Sequence, residues 1–539
     1  MFIQRTKRKS GDKVYHSVAL LENYRDGKRV RHRTIATLTK WPEHIVNDLE
    51  RLLKKKAVVS LDDLEFSNGK SFGAIEAVKQ IAQKLGITQA LGKNKQGQLA
   101  LFQIAGRIIT QGSRNYLANE WVKNQAVDDV FKLDKFNEDD LYENLDWLSD
   151  NQQDIEKKIF NYRYKNKKIR DIFLYDVTSS YLEGEKNELS EYGYNRDKKK
   201  GKKQIVVGLM LDTYGYPVTV EVFKGNTADT KTVSSQLKKL KDLFGVERVV
   251  FVGDKGMIKS SQIDEIISDS FKWNYLTTIS RKQIRTLIKK DIIQLSLFDD
   301  EVMEVEGEGN IRYILRKNKI RAEELKKNRE ERVRVLKEYV KKKNSYLQEH
   351  TKANEDIALR DINKKISKLK LKKFISIAAK HKRFFQVITD EEAKEKEGEL
   401  DGCYVIQTEL SRNEIDKNTA HDRYKDLAKV EFAFRTIKTT IEEIRPIYVR
   451  KEKRTRGHVF VVMLAYMIIK YITDKTQHLN YTRKFIIDSL VRIHYIEYYF
   501  KNQRVKTRPD RLNAHQQELV SAIGVDLKVA KNKSADKSS

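Results

Sequence analysis

The sequence predicts an α/β protein of several domains, built around a mixed sheet that a large insertion interrupts. Apolar runs of strand length alternate with amphipathic helical segments between residues 170 and 280. A charge-rich segment over 285–410 separates this block from further helices, and the first 40 residues are basic and rich in strand-forming residues. A chain of 539 residues should hold about three or four domains.

Composition and charge narrow the class of protein. The 107 Lys and Arg against 77 Asp and Glu give a formal net charge of +30, and the 39% hydrophobic share is enough for sizeable cores. The single cysteine, Cys403, excludes a disulfide framework and a Cys-rich zinc site. The longest apolar run, 459–469, is too short to span a bilayer, and the first ten residues hold no secretory signal. We therefore expect a soluble, cytoplasmic protein with a nucleic acid as partner.

The N-terminal part divides into two regions. Over 1–60 we expect a basic β-hairpin module that contacts DNA, because strand-like stretches at 13–22 and 28–38 are joined by the turn signal Asp26-Gly27. The first 40 residues hold eleven Lys and Arg against three acids. Over 61–165 the apolar residues recur at helical spacing, which predicts a helical DNA-binding region.

The segment 166–284 is predicted to be the first part of the catalytic core. Its elements follow the order βββαβαβ, and three antiparallel strands followed by helix-linked parallel strands are the layout of the ribonuclease-H-like fold. The predicted elements are strands over 171–177, 204–212 and 218–223, a helix over 230–244, a strand over 248–254, a helix over 260–267 and a strand over 273–279. Asn226 and Asp229, just before the first of these helices, are expected to form a turn and cap it.

The remaining chain is predicted in three parts. Residues 285–410 form an inserted α+β domain with β-rich flanks, whose middle is a helical hairpin over 321–375 with solvated, charged outer faces. Residues 411–475 return to the catalytic core with helices over 419–440 and 457–472. Residues 476–539 are expected to form a C-terminal helical region with a disordered basic tail from Ala530.

Two acids stand where a site is expected in such a sheet. Asp176 ends the first predicted strand and Asp254 ends the fourth, and these strands are neighbours in a ribonuclease-H-like sheet. Two carboxylates at close range repel each other unless a cation lies between them, so we expect them to bind a hard divalent metal ion. A single Asp just past a strand is more often a turn or helix cap, and it is the pair at matching positions that favours a functional site.

A third acid, Glu431, lies on a predicted helix with Tyr424, Leu427 and Lys438 on the same face and Arg435 one turn beyond. A Glu on a face with Tyr, Arg and Lys can ligate a metal ion while its neighbours hold a phosphate. The alternative is an ordinary amphipathic helix in which Glu431 pairs with Arg435 at i+4.

With these residues in place, the sequence resembles a DDE transposase of a bacterial insertion sequence, in the insertion-sequence-four group. That group carries a Tyr-(2)-Arg-(3)-Glu-(6)-Lys signature on the helix of the third acid. Tyr424, Glu431 and Lys438 match the spacing, whereas Leu427 stands at the Arg position. Further similarity lies in Asp254-Lys255-Gly256 and in the stretches 173–181, 223–229 and 445–458.

The resemblance implies a two-metal strand transferase. Asp176, Asp254 and Glu431 would hold two Mg²⁺ ions, with Mn²⁺ as a substitute, and the enzyme would cut at the ends of the insertion sequence and join them to target DNA.

The resemblance also implies partners and DNA contacts. Tyr424 and Lys438 would contact phosphates, and Arg423 or Arg435 could replace the missing signature Arg. Lys255, beside the second acid, is a further expected DNA contact. The partners would be double-stranded DNA, as terminal inverted repeats and as target, and a second copy of the chain in a synaptic homodimer.

Three other functions are compatible with parts of this pattern. A hydrolysis-only nuclease on the same fold needs neither the N-terminal region nor the insertion. A catalytically silent DNA-binding protein does not need three acids at matching positions. A basic RNA-associated protein explains the charge but predicts nothing about Asp176, Asp254 and Glu431.

Overall fold

The protein is described by a computed structural model covering residues 1–10, 13–56, 64–165, 172–197, 199–268, 270–439, 448–500, 503–509 and 512–527. The chain forms two compact units. The smaller unit includes Met1–Ser71 and Ile493–Leu512, and the larger unit is Phe72–Arg492 with Asn513–Leu527.

Strands and helices alternate along the chain. The strands are β1 (Phe2–Ser10), β2 (Lys13–Asp26), β3 (Arg29–Thr37), β4 (Leu64–Ser71), β5 (Ile172–Tyr181), β6 (Gln204–Leu211), β7 (Pro217–Lys224), β8 (Val250–Val252), β9 (Asn274–Thr278), β10 (Met303–Glu306), β11 (Arg312–Lys317), β12 (Ile375–His381), β13 (Phe384–Thr389), β14 (Cys403–Thr408), β15 (His494–Phe500) and β16 (Gln503–Thr507). The helices are α1 (Glu43–Leu53), α2 (Gly73–Lys84), α3 (Ile87–Leu91), α4 (Lys95–Ile109), α5 (Arg114–Asn119), α6 (Val127–Phe131), α7 (Glu138–Tyr164), α8 (Asp229–Lys238), α9 (Ser260–Ile267), α10 (Arg281–Lys289), α11 (Lys319–Glu349), α12 (Glu355–Leu369), α13 (Glu391–Gly398), α14 (Lys417–Lys425), α15 (Leu427–Thr439), α16 (Glu452–Thr476), α17 (Arg483–Val491) and α18 (Ala514–Ile523).

The smaller unit contains two three-stranded antiparallel sheets. The first has the order β1-β2-β3, and the predicted hairpin is its β2–β3 pair, which turns at Gly27 with a φ of 63°. The first strand of this sheet, β1, was not predicted, because its many cations hide the alternation. The second sheet has the order β16-β15-β4.

This second sheet departs from the expected helical region over 476–539. Between α17 and α18 the chain forms β15 and β16, because the sequence of β15 is dominated by aromatic and β-branched residues that favour strands. The tail that was expected to be disordered from Ala530 lies outside the described residues.

Helices α2 to α7 are present, as the periodicity over 61–165 predicts, although the same segment also contains the unpredicted strand β4. Among these helices, α2, α4 and α7 contact the buried helix α16. The segment Glu452–Leu479, which contains α16, is long and apolar enough to cross a membrane, but 78% of its apolar window is buried inside the protein. Gly457 allows α16 to approach α7 closely, since a Cβ atom there would lie 2.1 Å from the carbonyl oxygen of Leu145. This segment is therefore a core helix.

The central sheet of the larger unit is mixed, with the order β10-β11-β14-β9-β8-β5-β6-β7. β6 is antiparallel to its neighbours β5 and β7, whereas β8 and β9 run parallel to β5. With α8 and α9 between strands, the predicted order βββαβαβ is found. Every residue of β6 is buried, as expected for a strand that is covered on both faces.

The insertion is partly continuous with this sheet. Its flanking strands β10, β11 and β14 extend the sheet beyond β9, instead of belonging only to a separate domain. The predicted helical hairpin is present as α11 and α12, which share a hydrophobic cluster with the two-stranded sheet β12–β13. The helix predicted over 419–440 is divided at Asp426 into α14 and α15.

Candidate active-site cleft

The first two predicted acids emerge at the same edge of the central sheet. β5 and β8 are parallel neighbours, and Leu174 pairs with Val252 in the last register position. Asp176 and Asp254 each lie two residues beyond this pair in the same direction. Since side chains alternate along a strand, this spacing sends both carboxylates toward one crevice. β5 itself continues to Tyr181, so Asp176 lies inside the strand and not at its end.

The third predicted acid reaches the same crevice from a helix. α15 contacts β5, and its Glu431 lies beside the two aspartates. Together the three acids line a cleft of 440 Å³, which we call the carboxylate cleft. Its lining residues are Asp176, Asp254, Lys255, Thr278, Tyr404, Tyr424, Lys425, Leu427, Ala428 and Glu431.

Local hydrogen bonds orient the two aspartates. Asp176 accepts the backbone N–H of Val177 at 2.8 Å, and Asp254 accepts those of Gly256 and Met257 at 2.9 and 3.0 Å. All three bonds go to Oδ1 atoms. Within the part of the chain that the structure describes, the Oδ2 atoms of both aspartates therefore remain without a protein hydrogen bond, and they can serve as ligands.

The electrostatics of the cleft are those of acids without a partner. Burial, together with the facing charges of Asp254 and Glu431, raises the pKa of Asp176 to about 7, against the lowering effects of the Val177 N–H and of Arg196. Among the described residues, no Lys or Arg forms an ion pair with any of the three acids. Arg196 offsets this repulsion only in part, because in the described part of the chain its ion pair is with Asp229 and not with any of the three acids.

The donor set fits a hard divalent cation. It consists of carboxylate oxygens only, which is the ligand type that Mg²⁺, Mn²⁺ and Ca²⁺ prefer. Over the described ranges, no three His, Cys, Asp or Glu side chains are gathered tightly enough to hold one ion together. When two ions share the acids of a cleft, no single ion needs three of these side chains as ligands.

Two tyrosines line the cleft together with the three acids. Tyr424 hydrogen-bonds the Oγ1 of Thr278 at 2.9 Å, and burial raises its pKa to about 12. Tyr404 contacts the Nε2 of buried His421 at 2.6 Å, and Arg316 reaches the same nitrogen at 3.1 Å. Tyr424 was predicted from the signature spacing.

Four residues of the cleft were not predicted, namely Thr278, Tyr404, Lys425 and Ala428. Tyr404 belongs to the insertion, and nothing in the local sequence links its strand to the cleft. The sequence offered one indication for Lys425, because it lies next to Tyr424 on a helix that leads to Glu431. It lines the cleft with Lys255, and neither lysine forms an ion pair within the described residues.

The other predicted DNA contacts lie outside the lining of the cleft. Arg423 pairs with Asp426 at 3.0 Å, and Lys438 pairs with Asp197 at 3.0 Å. Arg435 is exposed on α15. Leu427, at the position of the signature Arg, does line the cleft.

A mixed sheet with three unpaired carboxylates in one cleft is an arrangement typical of enzymes that transfer phosphoryl groups with divalent cations. Comparison with known proteins gives the family. The family described as "IS1634 family transposase, N-terminal domain" matches residues 3–61, and the family described as "Transposase DDE domain" matches residues 167–468. Because the second match covers more than half of the chain, the protein belongs to the DDE transposases.

One solved structure and one search complete the comparison. The chain is similar to a piggyBac transposase seen by cryo-EM in a synaptic complex with hairpin DNA. The two share 10% identity at a TM-score of 0.37, over 78% of this chain and 76% of that chain. A search of curated proteins finds no similar sequence.

Membership in the family confirms the predicted function. The chain is a DNA transposase of an insertion sequence, an enzyme that acts on DNA with divalent metal ions, and a ribonuclease-H-like core is implied. The alternatives of a hydrolysis-only nuclease, a silent DNA-binding protein and an RNA-associated protein are therefore set aside.

Proposed function

We propose that Asp176, Asp254 and Glu431 are the catalytic carboxylates of this transposase and that they hold Mg²⁺, with Mn²⁺ as a substitute. One observation carries this proposal: acids from a strand, a loop and a helix line one cleft, and none of them has a cationic partner among the described residues. The Asp176 carboxyl is desolvated by burial and also faces two further negative charges, which is costly without a compensating cation. Their joint placement is therefore better explained by ligation than by structure.

The surrounding side chains would bind and orient the DNA backbone. A divalent cation, when bound, stabilises the negative charge that develops on a phosphoryl group during transfer. Lys255 and Lys425 would hold the phosphates on either side of the scissile bond, because their ammonium groups line the cleft without ion pairs inside the described ranges. The Tyr424 hydroxyl, protonated at neutral pH with its raised pKa, can donate a hydrogen bond to a phosphate oxygen.

Other parts of the chain would supply affinity for DNA. The basic sheet β1-β2-β3 at the N-terminus is the proposed module for contacts to the terminal inverted repeats, in keeping with its excess of Lys and Arg. Lys438 and Arg435 would contribute from α15, outside the lining of the cleft. Two ends must be brought together for transposition, so we further propose a homodimer that acts on DNA in the bacterial cytoplasm.

The test compares Asp254→Asn and Glu431→Gln with Asp242→Asn, an exposed acid outside the cleft in the same unit. The substrate is a duplex that carries the inverted repeats flanking the coding region. We expect both cleft variants to lose Mg²⁺-dependent cleavage and to bind Mn²⁺ more weakly in calorimetry, while DNA binding is retained. Asp242→Asn should match the wild type in all three measurements. Cleavage that persists in Asp254→Asn would exclude the assignment.

A further inference from the structure

The loop that follows β5 contacts both of the elements that carry the first and third acids of the carboxylate cleft. Its segment Arg196-Asp197, which we call the bracket, contacts β5, the strand of Asp176, and α15, the helix of Glu431. Neither residue of the bracket lines the cleft, so neither is a candidate ligand. The bracket can therefore act on the site only through the elements that it connects.

One end of the bracket is fixed to β5 and to α8. The backbone N–H of Arg196 donates to the Oγ of Ser179 at 2.9 Å, and Ser179 is fully buried three residues after Asp176 on β5. The guanidinium of Arg196 forms an ion pair with Asp229. Asn226 and Asp229 were expected to cap α8, but this helix begins without a side-chain cap. The carboxylate of Asp229 instead anchors Arg196.

The other end of the bracket is fixed to α15. Asp197 pairs with Lys438 at 3.0 Å, and the side chains of the two residues are only 5% and 10% exposed. Lys438 follows Glu431 by seven residues, which is almost two helical turns and about 10 Å along the helix axis. The side chains of Lys438 and Glu431 therefore project from the same side of α15, and the ion pair holds that side to the loop.

The burial of this ion pair makes it a strong restraint on the helix. Breaking a buried ion pair leaves an uncompensated charge away from water, whereas an exposed pair opens at little cost. Contacts thus run from the strand of the first acid, through Ser179, the bracket and Lys438, to the helix of the third acid. Loosening any of these contacts would let α15 move relative to β5, and Glu431 would move with it.

The spacing of the acids decides which cation fits between them. Mg²⁺ requires near-ideal octahedral geometry with ligands at about 2.0–2.1 Å, whereas Ca²⁺ accepts roughly six to eight oxygens at about 2.3–2.6 Å in flexible arrangements. A site whose acids are loosely placed therefore loses more affinity for Mg²⁺ than for Ca²⁺. The loss of one negative charge near the site, by contrast, weakens the binding of both ions alike.

We propose that Asp197 is a positioning residue for the metal site. Through Lys438 it holds α15 so that Glu431 keeps the distance from the acid of β5 that Mg²⁺ requires. Ser179 acts together with Asp197, because it anchors the bracket to β5. This inference rests on the proposed function of the cleft, since it takes the three acids as metal ligands. It gives Lys438 a task inside the protein besides its proposed contribution to DNA affinity.

The test measures the affinities of Mg²⁺ and Ca²⁺ for the DNA-free full chain. Each ion displaces Mn²⁺, and the free Mn²⁺ is followed by electron paramagnetic resonance. We expect Asp197→Asn to bind Mg²⁺ about tenfold more weakly than the wild type, and Ca²⁺ less than about threefold more weakly. Ser179→Ala changes no charge and should weaken Mg²⁺ binding by about threefold, with a smaller effect on Ca²⁺.

Ser180→Ala is the matched control for Ser179→Ala. Ser180 is the next residue on β5 and is also fully buried, but its Oγ has no hydrogen-bond partner in the described part of the chain. This variant should bind both ions as the wild type does. Circular dichroism shows whether each variant is folded. If Asp197→Asn does not fold, the comparison of Ser179→Ala with Ser180→Ala decides the question.

Two results would overturn the proposal. One is a ratio of Mg²⁺ to Ca²⁺ affinity that stays at the wild-type value in the folded variants of Asp197 and Ser179. The other is an equal loss of affinity for both ions, which would indicate an effect of charge alone. Asp254→Asn separates this inference from the assignment of the cleft. If Asp254→Asn binds Mg²⁺ as the wild type does, the assignment of the cleft fails together with this inference. If it loses Mg²⁺ while Asp197→Asn keeps the wild-type ratio, only the positioning role fails.

Discussion

The contact between α16 and α7 gives a prediction that the structure makes quantitative. Gly457 on α16 faces the backbone of α7, and a Cβ atom there would lie 2.1 Å from the carbonyl oxygen of Leu145 and 2.8 Å from its carbonyl carbon. Ordinary contacts begin at 3.4 Å, so in Gly457→Ala the two helices must separate by about 1 Å. Overpacking of this kind costs about 1–3 kcal/mol, and a backbone neighbour that cannot rotate away places the cost at the upper end.

Alanine also has a better helix propensity than glycine, by about 1 kcal/mol. The expected net loss for Gly457→Ala is therefore about 2 kcal/mol of the free energy of unfolding. The matched control is Gly106→Ala on α4, where the same propensity gain applies but the nearest atoms, at 2.8 Å, are the methyl groups of Leu117. A flexible side chain can move, so this variant should lie within about 1 kcal/mol of the wild type.

The assay is urea unfolding of the full chain followed by far-ultraviolet circular dichroism, with both variants and the wild type at one pH. Gly457→Ala should unfold at clearly lower urea than Gly106→Ala. If Gly457→Ala is as stable as the control, the close approach of α16 to α7 does not exist in solution, and the packing argument is refuted.

Two more predictions concern charge. Burial and the nearby guanidinium of Arg114 hold the pKa of His458 well below its ordinary value of 6.5. Below pH 6.5 the unfolded chain therefore binds a proton at His458 that the folded chain does not bind. This difference should lower the free energy of unfolding by about 1.4 kcal/mol for each pH unit. His458→Gln should flatten that slope in urea unfolding at pH 6.5 and 5.5, whereas exposed His381→Gln should not. Leu427→Arg, which adds a guanidinium to the wall of the cleft, should bind terminal-repeat DNA at least as tightly as the wild type; weaker binding in an electrophoretic shift would mean that α15 does not face phosphate.

The elements that local pattern could predict are those whose partners are close in sequence. The order βββαβαβ and the helical hairpin of the insertion follow from periodicity, and the structure contains both. The sharing of one cleft by Asp176 and Asp254 follows from the rule that parallel strands end at the same edge. Each of these predictions needs only the hydrophobic periodicity within each segment and the order of the segments along the chain.

What the sequence could not supply was long-range pairing. β14 joins β9 through Ile406 and Thr278, which are far apart along the chain, and no local signal encodes that register. For the same reason β15 was expected to be helical, since its partner β4 lies more than 400 residues earlier. The break at Asp426 was missed because the apolar spacing continues across it.

The pairing of β14 with β9 has a consequence for the active site. By extending the central sheet, the insertion places Tyr404 at the cleft, where its hydroxyl contacts His421 of α14. Arg316 of the neighbouring strand β11 reaches the same ring, so two strands of the insertion contact the helix that precedes Glu431. The insertion therefore forms part of the wall of the cleft. Through buried His421 the insertion thus contacts α14, the helix that immediately precedes the helix of Glu431.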